Sequence, residues 1–328
     1  MTAHRSWARR VTRASASALS ALLLTLTAVH PAQAQPGPIK VIVPYPAGGV
    51  TDLAARVLTE RMARTLQQTI IIENVAGAGS RIGTVSAMQA KPDGSTLLFT
   101  NISYSTLPLV DPGFRQSPLT AFAPVGLAAT YGAILVVHPS LPVKTLTELV
   151  EYARRHPGQL SYGSAGIGSG SHFAGEYLKA LTGTDIIHVP YKSTTAALND
   201  LIGGRISMGI DATVKPYIDS GKLRALAIVG SQRDARLPAV PIADQAGVPG
   251  LDMDAWLGMM APVGTPPATL KALNGALNAA LGDAAVKEQF ASLGLNLQQG
   301  GPELLTQQLQ KDAALYKSIV DKANLRFE

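Results

Sequence analysis

The stretch 39-IKVIVPYPAGGVTDLAARVL-58 holds a complete structural unit. Apart from Lys40, Ile39–Val43 is apolar and β-branched, the composition of a buried strand. Pro44, Pro46 and the pair Gly48-Gly49 break that run. From Leu53 the apolar residues Leu53, Val57, Leu58, Met62 and Leu66 then follow helical spacing. Thr51 or Asp52 is the expected N-cap, because either side chain can accept one of the orphan N–H groups of a first turn. Strand, glycine turn, helix is one arm of a parallel crossover.

The same grammar repeats outward from this unit. Strands are predicted at 69–73, 95–101, 159–162, 186–190, 206–212, 223–229 and 255–262, with a long apolar run at 131–139. An alanine-rich helix is predicted after 74-NVAGAGSRIG-83, and others at 145–157, 172–181 and 193–204. Three more begin near Pro267, Ala284 and Pro302. Alternation of this kind predicts an α/β protein with parallel sheets and right-handed crossovers. The last three helices have no predicted strand between them. They are expected to return over the first sheet and make its domain discontinuous.

The beginning of the chain is read separately. Arg5, Arg9, Arg10 and Arg13 precede 15-SASALSALLLTLTAV-29, an apolar run too short to span a bilayer comfortably. Ala32-Gln33-Ala34 supplies a small-x-small site, so residues 1–34 read as a secretory signal cleaved after Ala34. Setting those four arginines aside lowers the formal charge of +6 to +2 (6 − 4), which removes the compositional case for nucleic acid. Of 328 residues, 294 remain (328 − 34), enough for two α/β domains. The absence of cysteine excludes disulfides, thiolate catalysis and thiolate metal sites.

The stretch 161-SYGSAGIGSGSHFAGEYL-178 repeats the strand–glycine loop–helix plan and invites a catalytic reading. No serine in it has glycine at both positions that a nucleophile elbow requires. The chain has no Walker loop, and Gly166, Gly168 and Gly170 lack the dinucleotide spacing. At 77-GAGSRIG-83 the third glycine falls one residue late, and the next strand ends on Thr100-Asn101 rather than a carboxylate. What remains is either a tight structural turn or an anion cup. In a cup, backbone N–H groups converge at a helix N-terminus and Ser164, Ser169 and Ser171 add hydroxyls. His172 stands at the expected helix start, four residues before Glu176, where a capping or supporting role outweighs catalysis. No histidine has metal-ligand spacing, so no metal and no cofactor are expected. The loop 44-PYPAGGVTD-52 shares this logic. Arg81 and Lys192 are the cations near the two loops.

Across nearly the whole chain after residue 34, the sequence resembles the periplasmic receptors of tripartite tricarboxylate transporters, the Bug-type solute-binding proteins. The resemblance rests on 43-VPYPAGGVTDLAAR-56, 73-ENVAGAGSRIG-83, 92-PDGSTLLFTN-101 and 122-FAPVGLAAT-130. It continues in 188-HVPYKSTTAALNDLIGGRI-206 and 254-DAWLGMMAPVGTP-266. It implies a two-lobed periplasmic-binding-protein fold of type II, a Venus flytrap. The expected lobes are 35–133 with 255–328, and 134–254. The resemblance also implies that a small carboxylate is held by Tyr45, Ala47, Gly48, Gly49, Thr51 and Asp52 of one loop. The other loop would contribute Ser164, Gly166, Ile167, Gly168, Ser169, Ser171 and His172. Asn101, Tyr131, Thr194 and Asp211 would line the rest of the cleft, with Asp52 or Asp211 able to select an amino group. The chain departs from the family pattern at Val75-Ala76, Ser80-Arg81 and Ser193. The expected protein is a monomeric, non-enzymatic periplasmic receptor that delivers its ligand to membrane permease subunits. A sensor-kinase ectodomain is a further candidate partner. An exported hydrolase using Ser169 or Ser171 with His172 is the rival reading.

Overall fold

The computed structural model describes residues 37–326. The signal-peptide reading of residues 1–34 lies outside them. Two sheets organise this part of the chain. The first contains β1 (Ile39–Val43), β2 (Ile70–Asn74), β3 (Thr96–Asn101), β4 (Phe122–Tyr131), β10 (Ala255–Pro262) and β11 (Asn296–Leu297), in the order β2-β1-β3-β10-β4-β11. The second contains β5 (Ala133–Val137), β6 (Leu160–Ser164), β7 (Ile186–Pro190), β8 (Met208–Asp211) and β9 (Arg224–Val229), in the order β7-β6-β8-β5-β9. Apart from β11 the two orders follow one plan. A parallel trio is followed by one strand that enters from the other half of the chain, and then by a fifth.

That entering strand corrects the expectation of parallel sheets. β5 runs antiparallel to β8 and β9, and β10 runs antiparallel to β3 and β4. A parallel neighbour needs a crossover of a dozen or more residues, usually a helix. β5 instead follows β4 after the single residue Gly132, and β10 is reached through residues 230–254 without an intervening helix. These two passages touch. A Cβ on Gly230 would lie 2.9 Å from the Gly132 Cα, and one on Gly132 would lie 2.5 Å from the Ile228 side chain. Only glycine fits at the contact. β11 corrects a second expectation, since two residues between the C-terminal helices pair with β4 at Thr130 and Ala129.

The helices are α1 (Val50–Leu66), α2 (Arg81–Met88), α3 (Ser103–Val110), α4 (Leu146–Arg155) and α5 (Gly170–Thr182). They continue as α6 (Thr194–Ile202), α7 (Lys215–Asp219), α8 (Pro267–Gly282), α9 (Ala284–Leu293) and α10 (Glu303–Ala323). α1, α8 and α9 cover one face of the first sheet around Leu58, Met62, Leu277 and Phe290. α10 goes further than a lid for that sheet, because it packs on β4, α3 and α5 at once. A single apolar cluster therefore runs from Leu98 and Tyr104 through Trp256 and Tyr316 to Phe173 and Leu146. Trp256 belongs to this core, and its Nε1–H donates to the Asp312 carboxylate at 2.7 Å. Among the described residues no helix is long and apolar enough to cross a membrane.

Candidate functional site

β1 and β6 each end in a glycine loop that leads into a helix, α1 (17 residues) and α5 (13 residues). α1 begins at Val50, three residues earlier than the apolar spacing indicates. Its N-cap is Gly49, with no side-chain cap, so Thr51 and Asp52 are not caps but lie buried in the first turn. Gly48 adopts φ +90°, and a Cβ on Gly48 or Gly49 would meet nothing within 4 Å. The loop thus presents bare backbone to open space. The Asp52 carboxylate, 2% exposed, turns inward. It accepts the Gly48 N–H at 2.9 Å, Arg56 Nε at 3.0 Å and Asn74 Nδ2 at 3.0 Å. Burial alone would raise its pKa, but Arg56, the Gly48 amide and Asn74 together hold it below the ordinary value. Asp52 shapes the loop from behind.

Tyr45 and Asn101 join this loop to the end of β3. The Tyr45 hydroxyl donates to Asn101 Oδ1 at 2.7 Å, and Asn101 Nδ2 donates to Thr51 Oγ1 at 3.0 Å. Ala47 is exposed and its side chain makes no polar contact. Among the described residues the N–H groups of Ala47, Gly49, Val50 and Thr51 meet no acceptor. Unsatisfied donors at a helix N-terminus form an anion site.

The second loop is built differently. Its serines and histidine bond the loop to itself. Gly166 N–H donates to Ser164 Oγ at 3.1 Å, Ala165 N–H to Ser171 Oγ at 3.1 Å, and Gly168 N–H to His172 Nδ1 at 3.2 Å. Ser169, not His172, is the N-cap of α5: its Oγ accepts the His172 N–H and donates to Gly166 O at 2.7 Å. Ile167, Gly170 and Ser171 retain N–H groups without an acceptor among the described residues. The Ile167 side chain sits 57% exposed at the tip.

Beneath the loop lies a buried stack that the sequence does not announce. His188, on β7, lies between Tyr162 and His172 with ring centroids 4.8 and 4.3 Å away, and its Nε2 meets Ser164 Oγ at 2.7 Å. Glu176 accepts from the Tyr162 hydroxyl at 2.7 Å and from Lys179 at 2.9 Å. Burial first, and the neighbouring His188 second, push the His172 pKa down to about 4. A neutral ring whose Nδ1 accepts a backbone proton suits that shift. His172, Glu176 and His188 bring potential metal ligands within 4.8 Å of one another. However, the two rings are stacked, so their in-plane lone pairs do not converge, and the Lys179 ammonium sits on Glu176. The same bonds disfavour the hydrolase reading. Ser169 and Ser171 pair with each other at 3.1 Å, while His172 Nδ1 is occupied by the Gly168 amide.

Thr194 and Asp211 line one small cavity together with Ser164 and Ser171. Burial raises the Asp211 pKa, opposed by hydrogen bonds from Thr213 and Thr194. Tyr131 is buried at the junction, its hydroxyl pKa raised by burial and then by the charge of Asp211 and by Tyr45. Tyr131 is thus within electrostatic reach of both Tyr45 and Asp211. The two nearby cations stand apart: Arg81 Nε pairs with Asp111 at 3.0 Å, and Lys192 is exposed.

Residues 54–325 match the family model described as the tripartite tricarboxylate transporter family receptor. Protein BugT of Bordetella pertussis is 37% identical over 264 residues, 78% of this chain and 80% of BugT. The solved periplasmic binding protein BugD superposes with a TM-score of 0.81 at 34% identity, over 89% of this chain and 99% of BugD. MatC from Rhodopseudomonas palustris, solved with bound malate, gives 0.80 at 33% identity over 87% of this chain and 99% of MatC. The fold is the two-lobed α/β architecture of periplasmic binding proteins, in a family of solute receptors rather than enzymes.

Proposed function

The chain belongs to the tripartite tricarboxylate transporter receptor family, and from that premise we propose that it captures a small carboxylate in the periplasm. The carboxylate would sit between the first loop, Tyr45–Asp52, and the second, Ser164–His172. Membrane permease subunits would receive it. One observation carries this reading: two glycine loops, one per sheet, each end at a helix N-terminus with N–H groups that meet no acceptor. Each such terminus carries about half a positive charge, which suits a carboxylate without any full cation. Residues 35–133 with 255–328 would form one lobe and 134–254 the other, with Asn101, Tyr131, Thr194 and Asp211 lining the space between.

The deciding experiment is a thermal-shift and calorimetric screen of mono- and dicarboxylates, malate, succinate, adipate, glutamate and benzoate among them. An acid present at 100 times its Kd should stabilise the folded protein by about 2.7 kcal/mol. If none of the panel raises the melting temperature or gives heat on titration, the carboxylate reading is wrong.

A further inference from the structure

Helix α3 is the element that neither loop motif announces, and it touches both. At its start, Ser103 N–H donates to Asn101 Oδ1 at 3.0 Å, the same atom that accepts the Tyr45 hydroxyl. One turn later the Thr106 side chain is fully buried, and its hydroxyl donates to the carbonyl of Gly168, 62 residues along the chain, at 2.8 Å, closer than the 3.2 Å to the Ser103 carbonyl of its own helix. The second loop rests on the same helix through close packing. Gly168 adopts φ +81°, and a Cβ there would lie 2.6 Å from the Val110 side chain. A Cβ on Gly170 would lie 3.2 Å from the Ile102 side chain.

The bonded carbonyl belongs to the peptide that links Gly168 to Ser169. Gly168 gives its own N–H to His172 Nδ1, and Ser169 caps α5. The N–H of this same peptide, on Ser169, donates to the Gly166 carbonyl at 3.1 Å, so both of its polar groups are bonded and the plane between the two supports is fixed. The N–H groups of Gly170 and Ser171 follow it directly in the first turn of α5. Thr106 fixes that plane from outside the loop, on a helix that follows the strand ending in Asn101.

We propose that Thr106 is a positioning residue for ligand capture. By donating to the Gly168 carbonyl, it holds the second loop in its anion-binding shape and in register with the first loop. The inference rests on the carboxylate-clamp reading above. It adds that the two loops are assembled on one shared strut, the Asn101–Ser103–Thr106 segment, before any ligand arrives. Valine at 106 keeps the volume but leaves a buried carbonyl without its donor. Serine keeps the donor.

The test compares wild type, Thr106→Val and Thr106→Ser by calorimetry and stopped-flow binding, using the tightest acid from the panel above. Thr106→Val should weaken binding about tenfold, chiefly through faster dissociation, as loss of a buried hydrogen bond implies. Thr106→Ser should restore affinity to within about threefold of wild type, well inside that tenfold loss. Hydrogen exchange of the unliganded proteins supplies the readout that a general loss of stability would not give. The amides of residues 166–172 should exchange faster in Thr106→Val alone, while those of β6 and α10 stay protected. Wild-type affinity in Thr106→Val, an equal loss in both variants, or unchanged exchange in the second loop would each overturn the proposal. If no acid binds wild type, the clamp reading fails. The exchange comparison then still decides whether Thr106 holds the loop. Should Thr106→Val not fold, exchange and binding in Thr106→Ser against Thr106→Ala take its place, with the same expected contrast.

Discussion

The two glycine loops look alike in the sequence, yet they are held in opposite ways. The first is open: Gly48 and Gly49 face empty space, most of its amides have no partner, and its support comes from behind through Asp52, Arg56 and Asn74. The second is closed on itself: Ser164, Ser171 and His172 take up three of its amides, and Thr106 and Val110 of α3 press on its glycines. Both ends of the proposed site offer N–H groups to an anion. They differ in what a change would cost. In the first loop a substitution meets only backbone strain, whereas in the second it also meets a packed helix.

The largest test of that contrast is Gly168→Val against Gly48→Ala. Valine at 168 combines left-handed strain with a clash against Val110, and should destabilise the protein by about 3 kcal/mol and abolish carboxylate binding. Alanine at 48 meets strain alone, so about 1 kcal/mol of stability should go while binding weakens. Chemical denaturation alongside calorimetry separates the two, and equal losses of stability would erase the distinction.

A smaller effect should appear on acidification. His172 has a folded pKa near 4, below the 6.5 of an unperturbed ring, so between those values the unfolded chain binds the extra proton. The stability from the neutral ring is complete above about pH 6.5 and declines as pH falls to about 4. At pH 5 the loss should be roughly 2 kcal/mol. Melting temperature recorded from pH 7.5 to 4 should fall more steeply in wild type than in His172→Asn, which keeps an acceptor without a titrating ring. Parallel profiles would mean that the histidine is not the cause. The smallest effect belongs to Ile167→Ser at the exposed tip. It should change stability by under about 0.5 kcal/mol and leave binding intact.

Much of this architecture was legible along the chain, and the failures have particular causes. Ile39–Val43 and Ala255–Pro262 read as strands and are strands with those bounds, because a short, mostly apolar run between turn residues has few other uses. Strand direction leaves no mark in such runs, so alternation alone points to parallel sheets and does not disclose the antiparallel β5 and β10. β4 escaped because Pro124 and Gly126 look like turn residues, although a ten-residue strand continues through them. α3 escaped because 103-SYSTLPLV-110 carries Pro108 and little helical periodicity; Tyr104 and Leu107, both buried, hold it in place. At the site, the residue types were readable but their engagements were not. Which amides of the second loop are already taken depends on the rotamers of Ser164, Ser171 and His172. His188 joins them only because β7 pairs with β6, placing it opposite Tyr162.

The inward turn of Asp52 and the pairing of Arg56 and Arg81 with carboxylates have a consequence for ionic strength. Arg56 and Arg81 are paired and Lys192 is exposed, so within the loops an approaching acid meets mainly amide and hydroxyl dipoles at close range. Electrostatic steering of the ligand is then weak, and its association rate should change little with added salt. Salt screens interactions between exposed charges beyond about 8 Å at 0.15 M, and here it has little to screen. Capture by this protein should therefore be nearly indifferent to the salinity of the medium in which the ligand is found.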